Sequence, residues 1–204
     1  HLGDHLVHDN GERFLGLGTN LAWTEWGSGF TVYDDWLVAL NNNGGNFIKI
    51  TMAPWIFGLE WGSGTLGNYN NRQNRAWGLD WIFDKMTEYG IYCQFHFLVH
   101  DELRPDNNTG WNENPYKSAN GGPCNNPQDF FTNATAKKFY KQKIRYSIAR
   151  WGYSSYLHSW EIMSEADNTG FFESYQPDIY NWLIETAEFV KNRDVYQRPV
   201  TSGF

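Results

Sequence analysis

The sequence predicts an α/β fold of the TIM (β/α)8-barrel type, of which the first four β/α units and a fifth strand are present, preceded by a β-hairpin. Three observations carry this. Short apolar runs alternate with longer segments of helical spacing, the pattern of a parallel sheet joined by crossover helices. The connections after the second and third strands are long and rich in Trp, Asn, Gly and His, whereas those that precede strands are short. Barrels gather their functional loops at the C-terminal ends of the strands in this way. Finally, "GLGTNL" at 16–21 lacks the third glycine of a dinucleotide-binding turn, which argues against a doubly wound nucleotide fold.

The first element is a hairpin: residues 6–14 turn at Asp9-Asn10-Gly11, where Asn-Gly supplies positive φ. The run from Phe14 to Trp23 continues as the first strand. Val32, Tyr33, Trp36, Leu37 and Leu40 share one helical stripe, with Gly44 or Gly45 as the stop. "FIKITM" at 47–52 reads as a buried strand, and a loop over 53–78 leads to a helix with Leu79, Ile82, Phe83 and Met86 inward and Gly90 at its end. The third strand is 91–98. After a loop through "GGPCNNP", a helix over 134–151 turns Tyr140, Ile144, Ile148 and Trp151 to one side. The fourth strand is 157–162. A helix from Pro177, which suits a first turn, to about Asn192 precedes a fifth strand in "PVTSGF".

Composition narrows the function. With 204 residues, 41% of them hydrophobic, the chain supports one core in a single domain over 1–204. Eleven Trp and an aromatic share of 18% exceed what such a core needs. Rings with a polar edge make platforms for sugar faces, the competing explanation being an unusually aromatic core. A net charge of −7 argues against a nucleic-acid partner, and "KKFYKQKIR" at 137–145 reads as a solvated helix face. There is no run of 18 apolar residues to span a membrane as a helix. Cys93 and Cys124 are read as free thiols rather than a disulfide. Sequons at Asn107 and Asn133 matter if the source cell glycosylates.

"WEIMSEAD" at 160–167 holds the most chemistry-bearing residues. A fourth strand ending near Ile162 puts Glu165 at the lip, where a carboxylic acid can protonate a leaving oxygen. The plainer alternative is that Glu161 or Glu165 pairs with Lys49 or Arg150. Glu161 and Glu165 would lie about 13 Å apart on a fully extended strand, too far for a retaining pair of carboxylates. Trp160 flanks the motif, and Trp55 and Trp111 stand on loops where Trp can meet a ligand. His96, inside an apolar strand, is read first as a satisfied interior histidine, and His100 is balanced between the two roles. His96, His100, Asp101 and Glu102 are a conceivable metal set, but i, i+4 histidines converge on a helix and not on a strand. No metal and no cofactor is expected; His1, His5 and His8 fit the hairpin.

The succession "FLGLGTNLAW", "NNNGGNFIKI", "LDWIFDKMTEYGIY", "GGPCNNPQDFFT" and "RWGYSSYLHSWEIMSEAD" resembles the first half of a clan A glycoside hydrolase, of the family 5-like cellulase and mannanase type. The resemblance runs from about Leu6 to Phe204. It implies a retaining hydrolase of β-linked polysaccharide or oligosaccharide, secreted, with Glu165 as acid/base. Ser164 then stands where that clan carries an asparagine that binds the sugar, and Trp23, Trp55, His96 and His100 become substrate contacts. The clan's nucleophile is a Glu at the end of a seventh strand, so it is expected outside this chain. The alternative is a non-catalytic half-barrel that binds carbohydrate or self-assembles, a homo-oligomer if the chain is complete.

Overall fold

The computed structural model describes residues 6–8, 10–25, 27–106 and 110–204. Its centre is one parallel sheet in the order β1-β2-β3-β4-β5, formed by β1 (Gly18–Asn20), β2 (Phe47–Thr51), β3 (Tyr92–His96), β4 (Leu157–Glu161) and β5 (Val200–Thr201). Every strand lies beside the one before it. A doubly wound sheet reverses its order at a switch point, so the topology is that of a barrel wall. The helices α1 (Val32–Asn42), α2 (Gln73–Tyr89), α4 (Ala134–Trp151) and α5 (Phe172–Lys191), with the short α3 (Asp129–Thr132), supply the crossovers.

Alternation along the strands separates two environments. Ile48 and Ile50, Cys93 and Phe95, and Leu157 and Trp160 are buried in the main hydrophobic core. The opposite face is polar: Lys49, Thr51, Gln94, His96, Ser159, Glu161 and Thr201 lie on it in register. Gln94 Nε2 donates to Thr201 Oγ1 at 2.9 Å and Thr51 Oγ1 meets His96 Nδ1 at 2.8 Å, so side chains satisfy one another across strands. At the N-terminal end of the sheet an antiparallel bridge joins Val7 and Arg13. Phe14 from this hairpin stacks on His158 at 5.3 Å and meets Tyr92 edge-on at 5.1 Å. The hairpin thus plugs the bottom of the wall.

Several boundaries differ from expectation. The first strand is three residues, not the run from Phe14 to Trp23, because the edge strand pairs on one side only. Helix α2 starts six residues ahead of Leu79, at Gln73. It incorporates Gly78, where a Cβ would come within 2.9 Å of the Phe30 ring; that close approach explains a glycine inside a helix. Helix α5 starts at Phe172 with a kink at Tyr175, which leaves Pro177 in the first turn beyond the kink. Helix α4 has the expected limits. Asn133 caps it, its Oδ1 accepting from the amides of Thr135 and Ala136. Both cysteines are free and buried. Asp9 of the hairpin turn, the Asn107 sequon, His1 and His5 lie outside the described residues.

Two buried polar groups hold the outer parts. Asp194 accepts from Trp160 Nε1 at 2.9 Å and pairs with Arg198 at 2.8 Å; Arg198 also donates to the carbonyls of Leu157, Gly152 and Ser154. Behind the rim, Glu60 of the loop after β2 accepts from Gly67 N at 2.9 Å and Tyr116 OH at 3.3 Å. Glu102 of the loop after β3 accepts from Val99 N at 3.3 Å, and Lys143 of α4 is buried with them. Burial raises the Glu60 carboxyl above its usual range against the opposing Lys143 charge. Burial likewise pushes Glu102 up to about 7; Lys143 and the Val99 amide oppose it, while Glu60 and Asp101 add to it.

Asp194→Ala leaves the Arg198 guanidinium and the Trp160 indole N–H buried without their partner, and is expected to cost about 3–5 kcal/mol in urea unfolding. For Glu102, the folded chain retains a proton that the unfolded chain has released between about pH 4.5 and 7. Stability therefore falls as pH rises through that window, by on the order of 3 kcal/mol. Glu102→Gln is expected to flatten this slope in urea midpoints measured from pH 4.5 to 7.5.

Candidate active site

The site is built on the segment that leaves β4 at its C-terminal end. Ser164 N donates to Leu98 O at 3.0 Å on the β3 side, and Gly203 N donates to Met163 O at 2.9 Å on the β5 side. Ala166 N donates back to Gly203 O at 3.2 Å, and Tyr140 OH reaches Ile162 O from α4 at 2.8 Å. Pinned from three directions, the chain turns sharply, and Glu165 takes the left-handed conformation with φ 53° and ψ 49°. For a residue with a Cβ this conformation costs about 1–2 kcal/mol, a strain that the flanking bonds sustain and that recurs at functional sites. The turn delivers the Glu165 carboxylate to the open mouth of the wall, 55% exposed.

Two groups meet that carboxylate. Asn168 Nδ2 donates to Glu165 Oε2 at 2.9 Å, and His100 Nδ1 lies 3.6 Å from the same oxygen. His100 belongs to the 3-10 turn His100–Leu103 after β3, which brings it to the rim. Beneath, Lys49 Nζ pairs with Glu161 at 2.7 Å and donates to Ser164 Oγ at 3.1 Å. Lys49 thus neutralises a buried carboxylate and fixes the residue next to Glu165. The pairing anticipated for Lys49 is made with Glu161, while Arg150 pairs with Asp80 instead. His96 lies between these groups at 1% exposure, its imidazole pushed down to about 3 by burial and then by the Lys49 charge. It is therefore a neutral interior ring bonded to Thr51.

The structure brings Glu165, Ser164, His96 and His100 together with Lys49. Trp23 and Trp55 form a second group on the rim, edge to face at 5.3 Å, with Trp23 exposed and Trp55 Nε1 donating to Thr24 O. Trp160 and Trp111 are corrections. Trp160 is on the helix-facing side of β4, fully buried, stacked on Phe97 at 5.3 Å and bonded to Asp194. Trp111 is 4% exposed within the core. Neither has a face to offer a ligand; strand parity places the first, and the folded loop around Asn114 encloses the second. Asn168 is a site residue that the sequence pattern does not single out. Its signal is the short turn, which returns a side chain three residues on to the Glu165 carboxylate. Among the described residues no group of three His, Cys, Asp or Glu is placed to hold a metal ion, and no helix is long and apolar enough to cross a membrane.

No protein-family model matches the chain. The probable mannan endo-1,4-beta-mannosidase A of Aspergillus clavatus is 26% identical over 129 residues, covering 61% of this chain and 32% of the relative. Mannan endo-1,4-beta-mannosidase 5 of Solanum lycopersicum is 28% identical over 128 residues, 57% of this chain and 29% of the relative. These alignments span about a third of the relatives' length. The crystal structure of the endo-1,4-beta-mannanase from Rhizomucor miehei superposes with a TM-score of 0.72 at 17% identity, over 98% of this chain and 58% of that one. In sequence the chain is similar to endo-β-1,4-mannanases, and its fold matches the strand 1 to strand 5 part of the (β/α)8 barrel of mannanase structures.

Proposed function

We propose that these residues are the strand 1–5 part of a retaining glycoside hydrolase that acts on β-1,4-linked mannan, with Glu165 as its acid/base. The observation that carries the reading is Glu165 itself, held in a left-handed turn at the C-terminal end of β4 with its carboxylate in the open mouth. The similarity to mannan-cleaving enzymes supplies the glycan.

In a retaining mechanism the protonated Glu165 gives its proton to the glycosidic oxygen as a second carboxylate attacks the anomeric carbon. The Glu165 carboxylate then takes a proton from the water that releases the glycosyl group. The second carboxylate must come within about 5–5.5 Å of Glu165. Glu161 is unsuited to that part, being buried and engaged by Lys49, and the resemblance to clan A hydrolases puts the nucleophile on a seventh strand, outside these 204 residues. Asn168 and His100 orient the Glu165 carboxylate. Ser164, its Oγ lone pair occupied by Lys49, keeps its hydroxyl hydrogen for a sugar oxygen. Trp23 and Trp55 offer ring surface to neighbouring sugars on the β1–β2 side of the rim. No cofactor has a role in this chemistry, and the expected setting is extracellular, where the polysaccharide is.

Ser164 also favours a second reading, a domain that binds mannan without turnover, since a serine gives the transition state a shorter and single contact. The two readings separate in the protein that carries this chain, assayed on soluble β-1,4-mannan. Glu165→Gln is expected to lower kcat by about 10²–10⁴ with KM little changed; unaltered turnover would remove the assignment. Ser164→Asn is expected to raise kcat by about tenfold or more, given that a lost transition-state hydrogen bond costs roughly 2–4 kcal/mol. Mannan affinity with no turnover in either the parent or Ser164→Asn establishes the second reading.

A further inference from the structure

The outer face of the chain carries a second feature, independent of Glu165. Between α4 and α5, on the helical side of the sheet, runs a furrow of about 730 Å³. Lys137, Lys138, Lys141 and Arg145 of α4 line it, with Arg193 beyond α5, against the single carboxylate of Glu185. Five cations to one anion is a local excess of positive charge on a chain whose net charge is −7. Glu185 takes up Lys137 at 2.8 Å and also pairs with Lys141. Lys138, Arg145 and Arg193 are exposed, and no ion pair within 4.0 Å is formed by them among the described residues.

The arrangement is ordered as well as basic. The cations left unpaired, Lys138 and Arg145, stand seven residues or about 10.5 Å apart along α4, and Arg193 lines the same furrow from beyond α5. Residues of both helices line the furrow, Lys137 to Arg145 on one side and Glu185 and Phe189 on the other, so a ligand meets it as a channel with two walls. A bilayer or a duplex is broad and would lie across the two helices rather than enter the space between them. Part of the floor is the Phe189 ring, with the Arg193 guanidinium 3.6 Å from its centre and the Lys141 ammonium 5.4 Å away. Single-stranded nucleic acid binds by stacking bases on free aromatic faces, and Arg193 already covers this one. A polymer with anionic groups along its length and no base to stack matches these separated cations better.

We propose that the α4–α5 furrow binds an acidic polysaccharide, a polyuronate chain, whose carboxylates meet Lys138, Arg145 and Arg193. It would hold the protein on an anionic glycan by a face separate from the mouth that carries Glu165.

Affinity electrophoresis of the whole protein through gels containing polygalacturonate tests this, with a neutral β-1,4-mannan gel as reference. The parent protein is expected to be retarded at 50 mM NaCl and less so at 300 mM, where screening shortens the reach of its charges. The combined variant Lys138→Glu, Arg145→Glu and Arg193→Glu is expected to lose at least tenfold in apparent affinity for the polyuronate. Its circular dichroism and its behaviour in the mannan gel should match the parent's. A parent that runs unretarded, or a variant retarded as strongly as the parent, overturns the proposal. So does equally tight binding of a thymidine oligonucleotide or of polyglutamate at the same salt, which would mark the furrow as a general polyanion surface. Because mannan binding is read separately, failure of the furrow proposal leaves the reading of Glu165 where it stood.

Discussion

The ion pair between Lys49 on β2 and Glu161 on β4 reaches across β3. Neighbouring strands stand about 4.8 Å apart, and the long Lys49 side chain spans the intervening strand to meet Glu161 at 2.7 Å. The contact ties the second strand to the fourth on the polar face of the sheet, over Gln94 and His96 of the strand between them. A buried carboxylate without a counter-charge is costly, and Lys49 meets that need while remaining partly open to solvent. The same ammonium donates to Ser164, which couples this tie between strands to the position of the residue beside Glu165. Gly203 completes the fit: a Cβ there would come within 3.1 Å of Glu161 Oε1.

The two faces of the sheet divide the labour. Toward the helices the strands present Ile, Phe, Leu and Trp, and the aromatic rings interlock through Phe95, Trp151, Trp160 and Phe97. Toward the mouth they present hydroxyl, amide, imidazole and charged groups that bind one another. The aromatic surplus is therefore spent largely on packing: Trp111, Trp151, Trp160 and Trp182 are all buried. Among the described residues, Trp23 and Trp77 are the exposed exceptions.

How far the sequence announces this differs from residue to residue. The helix over 134–151 is legible because its stripe is clear and Asn133 is a good cap. The strand at 47–51 is legible as an apolar run, and its parity already puts Lys49 and Thr51 on one face. The first strand is not legible, since residues 14–23 have an extended composition over a far greater length than the edge actually pairs. Trp160 shows the limit of reading proximity along a chain. It is five residues from Glu165, yet it belongs to the opposite face, and only the register of β4 decides that. The buried Glu60, Glu102 and Lys143 come from three separate segments, so their meeting depends on the folding of two long loops that carry no local periodicity.

The hairpin at the bottom of the wall has a bearing on how the chain folds. Phe14 stacks on His158, a residue of the fourth strand, and His8 reaches Tyr92 on the third. The plug therefore joins Phe14 to a strand far along the sequence. Contacts of such large sequence separation are made slowly, because the loop entropy must be given up before they return anything. The β2–β3 and β3–β4 pairs, bridged by shorter connections, are available first. The hairpin meets its full set of partners only once the fourth strand is in place, so a segment early in this sequence completes its contacts late.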